Sequence, residues 1–182
     1  MQIEKTSLPG VLLIKPAIFT DQRGYFYETY HAQKYLEQGI GVPFLQDNLS
    51  RSYAGVLRGL HYQLQKPQDK LVCVTRGKVF DVAIDVRQGS PRFGQWFGQI
   101  LSDENHYQLF IPKGFAHGFC VLSESADFMY KVSDVYYPQG ERAIIWNDPD
   151  LNIAWPIKTP LVSAKDQESP CLKDAELPIY EG

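Results

Sequence analysis

Two of the four histidines lie in segments whose neighbouring residues fit proton-transfer chemistry. His61 follows Arg58 and Gly59 in the segment Gly55–Gln63, and Lys70 comes shortly afterwards, beyond a turn that contains a proline. A glycine inside a strand favours a bulge, so Gly59 predicts that Arg58 and His61 reach the same cavity. An imidazole exchanges protons near neutral pH, and a cluster of cations fits an anionic substrate. The alternative is that these basic side chains lie on an open surface.

The second of these histidines, His117, is surrounded by apolar and glycine residues in Ile111–Phe119. Two interpretations fit this pattern: a core histidine that donates to a backbone carbonyl, or a side chain that faces a ligand cavity. The remaining histidines, His31 and His106, lie at a helix start and in a turn, each among polar residues. We expect both to be solvated.

Short strand patterns, separated by Gly, Pro, Asp and Ser, dominate the chain. One helix is predicted over Ala32–Gln38 with Gly39 as its stop, and a helical turn is predicted to begin near Ser102. Many short strands and few helices favour a β-sandwich or barrel, and we expect a single domain over 1–182 whose last part, from Pro156, wraps the surface. The predicted strands are Val11–Lys15, Leu71–Thr75, Lys78–Val86, Trp96–Leu101, Tyr107–Ile111, Phe119–Leu122, Phe128–Val135 and Ala143–Trp146.

The segment Lys78–Val86 has two unlike faces in an extended conformation. Its even-numbered positions from Phe80 to Val86 are all apolar, whereas the odd-numbered face carries Asp81 and Asp85 among small residues. A buried carboxylate needs a partner, and a solvated one does not. The pattern therefore fits a ligand-holding interior or a solvent-facing side, and the sequence leaves both open.

The composition is that of an ordinary globular protein, with 44% apolar and 21% charged residues. A net charge of −3 gives no electrostatic reason to expect nucleic acid or an anionic membrane as a partner. No apolar stretch is long enough to span a bilayer, and the first residues lack the apolar core of a secretory signal. Three widely spaced cysteines, Cys73, Cys120 and Cys171, indicate neither a disulfide framework nor a zinc site, so we expect a cytoplasmic protein.

The segment Pro112-x-Gly-x-x-His117 resembles the second half of the cupin signature, in which this histidine binds a metal. The first half, His-x-His followed by Glu, here reads His61-Tyr62-Gln63, with no suitable Glu before Gly77. Protein metal sites normally take three or more ligands, and only two remain. The resemblance implies a mainly β, cupin-like jelly roll with a few short helices, whose cavity carries out acid–base chemistry without a metal.

The chain also resembles the dTDP-4-dehydrorhamnose 3,5-epimerase family over nearly its full length. Each matching segment is weak to moderate by itself, but the order and separations of the segments together are specific. The matching segments are Asp21–Glu28, Gln46–Asn48, Gly55–Gln63, Lys70–Val72, Gly77–Asp85, Ser90–Trp96, Ile111–Phe119, Tyr130–Lys131, Trp146–Asp148 and Ser163–Asp166.

The resemblance implies inversion of C3 and C5 of dTDP-4-dehydro-6-deoxy-D-glucose, which yields dTDP-4-dehydro-L-rhamnose for dTDP-L-rhamnose biosynthesis. It implies His61 as the base, Asp166 as the carboxylate that orients this base, and Tyr130 as the acid on the opposite face of the sugar. Lys70 is implied to stabilise the enolate oxygen, and Asp81 to hold a cation of the cavity. A ketone already acidifies both neighbouring carbons, so we expect no cofactor, in agreement with the lack of a GxGxxG or P-loop sequence.

The resemblance further implies a set of substrate-binding residues. Arginine and lysine fit the diphosphate, polar side chains fit the sugar and nucleotide, and aromatic rings fit stacking on the base. It also implies a homodimer, in which the early strand that begins at Arg23 crosses to the neighbouring subunit. The implied substrate-binding residues are Arg23, Phe26, Glu28, Gln46, Asp47, Asn48, Arg58, His117, Tyr136, Glu141 and Lys165.

Three other functions compete with this one. A relative that inverts one carbon, or that moves the ketone, shares the base and differs around the acid, so Tyr130 favours the double epimerase. A metal-dependent cupin dioxygenase requires ligands that the sequence lacks. A sugar-nucleotide-binding module needs no base–acid pair, so the joint presence of His61, Lys70, Tyr130 and Asp166 argues against it.

Overall fold

The computed structural model describes all residues, 1–182, and consists mainly of strands. The helices are α1 (Ala32–Glu37) and α2 (Ala164–Gln167), and single 3-10 turns cover Pro138–Gly140 and Leu172–Asp174. The strands are β1 (Gln2–Lys5), β2 (Leu12–Lys15), β3 (Ile18–Asp21), β4 (Gly24–Tyr27), β5 (Gln46–Tyr53), β6 (Leu57–Gln63), β7 (Lys70–Arg76), β8 (Lys78–Asp85), β9 (Trp96–Ser102), β10 (Gln108–Ile111), β11 (Phe115–Val121), β12 (Ser125–Val132) and β13 (Glu141–Ala143).

Two antiparallel sheets face each other as a jelly-roll sandwich, as the sequence predicts. The six-stranded sheet has the order β1-β2-β10-β7-β12-β5, and the five-stranded sheet has the order β13-β6-β11-β8-β9. Strands β3 and β4 form a separate hairpin. The main core lies between the sheets, where Val72 and Phe128 of one sheet pack with Val79 and Phe119 of the other. Side chains that point inward from both sheets therefore meet in one interior.

Strand β8 is buried on both faces. Val79 and Ala83 belong to the core between the sheets, and Asp81 and Asp85 are fully buried on the same face. The apolar face packs instead beneath the segment that follows β13, where Leu151 contributes to a second core. The face with two carboxylates therefore lines the interior, which decides between the two placements that the sequence left open.

Helix α1 closes one end of the outer face of the six-stranded sheet. It begins after His31, whose ring accepts a hydrogen bond from the Lys34 amide, and it ends one residue earlier than predicted. Its buried residue Tyr35 packs on Ile14 and Phe110 of the sheet. The helical turn predicted near Ser102 is also present as one turn, closed by the His106 amide on the Ser102 carbonyl.

Strand ends are where the structure departs most from the predictions. β11 begins at Phe115, whereas a start at Phe119 was predicted, and β13 covers Glu141–Ala143 instead of Ala143–Trp146. β5 was not predicted, because its inner face is polar and its outer face is exposed at an edge. Alternation of apolar and polar residues, the main sequence signal of a strand, is weak in such a segment.

The predicted solvation of His106 is wrong. This ring is 6% exposed and lies between Tyr25 and Tyr27, with both pairs of ring centroids 4.7 Å apart. The burial comes from the β3–β4 hairpin, which folds its tyrosines over the turn that carries His106. A contact between segments about eighty positions apart leaves no local signal in the sequence.

Candidate active site

A bulge in β6 brings Arg58 and His61 to the same cavity. β6 pairs with β11 so that His61 lies opposite His117 and Arg58 opposite Phe119, which leaves one extra residue on β6. The irregular stretch contains Gly59, whose φ of +127° is one that L side chains rarely adopt. A Cβ on Gly59 would lie 2.6 Å from the Cα of Gly118, so glycine is needed here for close approach of the two strands. The bulge predicted at Gly59 is therefore present.

His61 is paired with Asp166. The His61 Nε2 lies 2.7 Å from Oδ1 of Asp166, while the other carboxylate oxygen accepts from the amide of Gly59 at 3.3 Å. Burial raises the pKa of the Asp166 carboxyl, but its hydrogen bond and charge interaction with His61 outweigh this effect and leave the pKa below its ordinary value. The carboxylate is thus ionised, and it fixes the orientation of the His61 ring.

Asp166 reaches His61 because the chain is tied down just before α2. The amide of Leu57 donates to the Leu161 carbonyl, and Val162 is buried against Leu57. Ser163 then caps α2, its hydroxyl accepting from the amide of Asp166 at 3.2 Å. One turn of helix, anchored at its N-cap, places the carboxylate.

The opposite wall of the cavity carries Lys70 and Tyr130 on adjacent strands β7 and β12. Lys70 Nζ donates to the backbone carbonyl of His61 at 3.4 Å. Burial lowers the pKa of Lys70 to about 8, although the charges of Asp81 and Glu141 partly oppose this shift. Burial also raises the pKa of Tyr130, so its phenol stays protonated at neutral pH. A base, a protonated phenol and an ammonium group thus line one cavity.

His117 makes a second histidine–carboxylate pair. Its Nε2 lies 2.9 Å from Oδ2 of Asp81, and Oδ1 of Asp81 is buried with no hydrogen-bond partner. Burial lowers the pKa of His117 despite the nearby carboxylate, so the ring is neutral at neutral pH. The ring stacks on Phe128 with the centroids 5.8 Å apart. Of the two interpretations of His117, the structure supports the cavity-facing one.

The cavity mouth is closed on one side by a cluster around Glu141. Its carboxylate accepts from Lys165 Nζ and, at 2.9 Å, from the Tyr136 hydroxyl. Burial raises the pKa of Glu141, but these two hydrogen bonds outweigh burial and lower it. The backbone amide of Tyr136 donates to the Gln46 side chain at 3.0 Å, which ties the cluster to β5. The cluster therefore joins four separate segments at the mouth.

The cavity has a volume of about 580 Å³ and collects most of the predicted site residues. Such a volume is within the range typical of small-molecule sites. The lining contains all four predicted catalytic residues and five of the predicted substrate-binding residues: His61, Lys70, Tyr130, Asp166, Arg58, His117, Tyr136, Glu141 and Lys165.

Two groups of predicted residues lie outside this lining. Gln46 and Asn48 are half-buried neighbours on β5, whereas Asp47 alternates outward and pairs with Lys131. Three more residues, Arg23, Phe26 and Glu28, lie on or just after the exposed β3–β4 hairpin. These residues border a smaller surface pocket or helix α1 in the isolated chain.

Sequence reasoning missed several cavity residues. Gln63 lies two positions from His61 on β6, and Ser50 lies two positions from Asn48 on β5, so the period of two in a strand was the available signal. Phe128 is likewise two positions from Tyr130 on β12. Ser163 enters the sequence analysis only as part of a matching segment. A helix of four residues is too short to show a periodic pattern, so the sequence does not indicate that Ser163 caps it or that Asp166 has a functional role.

Three further features concern metal ions, membranes and thiols. No three His, Cys, Asp or Glu side chains are grouped so that they could hold a metal ion. Neither helix has the length and apolar character that crossing a bilayer requires. The three cysteines are free thiols, and Cys73 and Cys120 are buried.

Comparison with known proteins gives consistent matches along the chain. Residues 5–174 match the sequence model of a family described as dTDP-4-dehydrorhamnose 3,5-epimerase. An enzyme of that name from Pseudomonas aeruginosa is 52% identical, and the match covers 97% of this chain and 98% of the relative. A Streptomyces niveus protein named dTDP-4-dehydrorhamnose 3-epimerase is 40% identical over 99% of this chain and 90% of its own.

A solved structure is similarly close. The crystal structure of dTDP-6-deoxy-D-glucose-3,5-epimerase from Legionella pneumophila, in complex with dTDP-4-keto-L-rhamnose, superposes with a TM-score of 0.97. Its sequence is 51% identical, and the match covers 100% of this chain and 99% of that one. The likeness therefore extends over the whole sandwich, including the segments that build the cavity.

Proposed function

The chain belongs to the dTDP-4-dehydrorhamnose 3,5-epimerase family, and on this basis we propose that it inverts C3 and C5 of dTDP-4-dehydro-6-deoxy-D-glucose. The product is dTDP-4-dehydro-L-rhamnose, an intermediate of dTDP-L-rhamnose biosynthesis. The observation that carries this proposal is the His61–Asp166 pair, which shares one cavity with Tyr130 and Lys70. The enzyme is thus an isomerase that acts on a nucleotide-linked sugar.

The cavity contains a candidate group for each part of the chemistry. His61 removes the proton from the carbon beside the ketone, and Asp166 stabilises the resulting imidazolium. The Lys70 ammonium stabilises the enolate oxygen in a cavity where burial strengthens the interaction. Tyr130, kept protonated by burial, returns a proton from the other wall. Abstraction on one face and donation on the other inverts the carbon.

The substrate's nucleotide and diphosphate fit the mouth of the cavity. Arg58 is held by a hydrogen bond from its Nε to Ser52 at 2.9 Å, so its terminal nitrogens remain available for phosphate oxygens. Lys165 is exposed and lies beside Glu141, and the Tyr136 ring is 51% exposed. We assign Arg58 and Lys165 to the diphosphate, and the Tyr136 ring to stacking against the planar base of the nucleotide.

The hairpin β3–β4 supports a homodimer. Phe19 and Phe26 are 66% and 69% exposed, which leaves two large apolar rings in water in the isolated chain. A second copy of the chain would cover these rings and bring Arg23 and Glu28 near its own cavity mouth. We place this dimer in the cytoplasm, where free thiols such as the three cysteines persist.

Proton NMR of the keto-sugar nucleotide in heavy water, with chelator-treated enzyme, tests the proposed reaction. We expect deuterium at both C3 and C5 and a doubly inverted product. No exchange at either carbon would contradict the proposal and would favour the hypothesis of a sugar-nucleotide-binding module. A shifted ketone would identify an isomerase of the related type.

A second candidate is inversion of a single carbon. The Streptomyces niveus relative named a 3-epimerase is 40% identical, so the family includes proteins with such names. The same NMR measurement distinguishes the two, because a single-carbon enzyme exchanges at one position only.

A further inference from the structure

Two inversions within one binding event leave a proton imbalance. Each inversion adds one proton to His61 and removes one proton from Tyr130, because the base and the acid act once each. A second inversion of the same bound sugar needs a neutral imidazole and a protonated phenol again. One proton must therefore travel from His61 to Tyr130 between the two inversions.

Lys70 lies near the strands that carry both groups. On β7 it lies opposite Val132 of β12, and Tyr130 lies opposite Val72, two positions further along the same inner face. Diagonal neighbours of this kind lie roughly 7–8 Å apart at their Cα atoms, within reach of a long side chain. The Lys70 Nζ already contacts the backbone carbonyl of His61 at 3.4 Å. A flexible stem with three rotatable donors can thus serve both strands.

The order of acidities favours transfer in the required direction. An imidazolium is ordinarily a stronger acid than an ammonium, and a phenol is a weaker acid than either in this cavity. Burial lowers the pKa of Lys70 to about 8, and burial raises the pKa of Tyr130. A proton that moves from the Lys70 ammonium to the Tyr130 phenolate therefore goes downhill.

The other cations of the cavity do not fit this role. Arg58 is a guanidinium, which keeps its proton at any physiological pH. Lys165 lies at the mouth, and its hydrogen bond with Glu141 raises its pKa. Among the cavity cations, Lys70 alone combines a depressed pKa with a position beside the strand of Tyr130 and a contact to the backbone of His61.

We propose that Lys70 resets the site between the two inversions by carrying a proton from His61 to Tyr130. Its ammonium donates one proton to the Tyr130 phenolate, and the resulting neutral amine takes one proton from the His61 imidazolium. The net change is the transfer of one proton, and the step requires no other reactant. This role rests on the proposed double epimerisation and adds to stabilisation of the enolate.

Lys70→Arg separates the two roles of this side chain. Arginine keeps a positive charge beside the enolate but does not release a proton. We expect deuterium exchange at the first carbon to be slower than in the parent, because a guanidinium replaces the ammonium at the enolate oxygen. The diagnostic result is the early ratio of singly to doubly inverted product, which we expect to rise about tenfold or more, since a positioned proton transfer contributes typically 10²–10⁴-fold. The ratio is measured by proton NMR at low conversion with substrate in excess.

Lys70→Met serves as the comparison, because it removes the charge as well as the proton. We expect Lys70→Met to slow exchange at the carbon that is inverted first, and to do so more than Lys70→Arg. Melting temperatures of both variants, compared with the parent, separate these effects from misfolding. If Lys70→Arg gives the same product ratio as the parent, the reset runs through water and the inference is wrong. The parent enzyme's exchange at both carbons tests the proposed reaction independently of either variant.

Discussion

The two walls of the cavity hold their reactive groups by different means. On the five-stranded sheet, each histidine is fixed by a buried carboxylate, at 2.7 Å for His61 and 2.9 Å for His117. On the six-stranded sheet, Lys70 has one long contact of 3.4 Å, and Tyr130 is placed by packing near Phe128 with ring centroids 6.1 Å apart.

This difference matches the chemical roles proposed for the two walls. A base must hold one orientation and accept a charge, and a carboxylate partner provides both. Groups that donate to a developing oxyanion or carbanion need free hydrogens aimed at the substrate, and burial without a strong partner keeps them available. The wall that carries His61 and His117, here the base wall, is therefore pre-arranged by hydrogen bonds. The wall that carries Lys70 and Tyr130, here the acid wall, is pre-arranged by packing. Substitutions on the two walls should fail in different ways.

Removing the base should have the largest effect. We expect His61→Ala to abolish deuterium exchange at both carbons, with a loss of about 10³-fold or more, because a positioned base contributes typically 10²–10⁴-fold. Proton NMR in heavy water measures the exchange. His31→Ala is the matched control, since this histidine lies outside the cavity as the cap of α1. Exchange at the parent rate in His61→Ala would remove His61 as the base.

Removing the acid should separate inversion from exchange. We expect Tyr130→Phe to lower inversion about 10²-fold while exchange falls less, because His61 still removes and returns a proton on one face. Comparison of the deuterium content with the configuration of the recovered sugar checks this prediction. Equal retention of both activities would show that the acid wall does not act through Tyr130.

The acid wall should also set the alkaline limit of the reaction. The Lys70 ammonium is charged below its pKa of about 8 and neutral above it, so we expect first-carbon exchange to fall as the pH rises through this value. In Lys70→Arg the fall should move to higher pH, because a guanidinium stays charged. A pH profile of exchange for both proteins provides the measurement. An alkaline fall at the same pH in both would assign it to another group.

The sequence predicts the base wall better than the acid wall. Gly59 indicates the bulge that turns Arg58 and His61 into one cavity. The two carboxylates of β8 mark one face of that strand as unusual, and the structure places this face in the interior. These are local features, because alternation and glycine act within one strand. Tyr130 has no comparable local signal, since a tyrosine among apolar residues in a strand is ordinarily predicted to be a core residue.

Long-range pairing is what the residues alone do not show. Asp166 contacts a histidine 105 positions earlier, and it does so from a helix of four residues that is too short to have a periodic pattern. Only the resemblance to a family connected Asp166 with His61. The exposed hairpin is a similar case, because a strand with apolar residues on it does not indicate what covers them.

Loosening the support of the base wall should produce the smallest effect. Ser163→Ala removes the hydroxyl that accepts from the Asp166 amide at 3.2 Å, so the carboxylate is held less firmly against His61. We expect a loss of about 1 kcal/mol in the free energy of unfolding, as for other N-cap removals, and a several-fold decrease in kcat with little change in KM. Ser163→Thr keeps a capping hydroxyl and should restore both quantities. Denaturant unfolding and initial rates measure the two effects. A change in KM without one in kcat would show that Ser163 contacts substrate instead of positioning the carboxylate that orients the base.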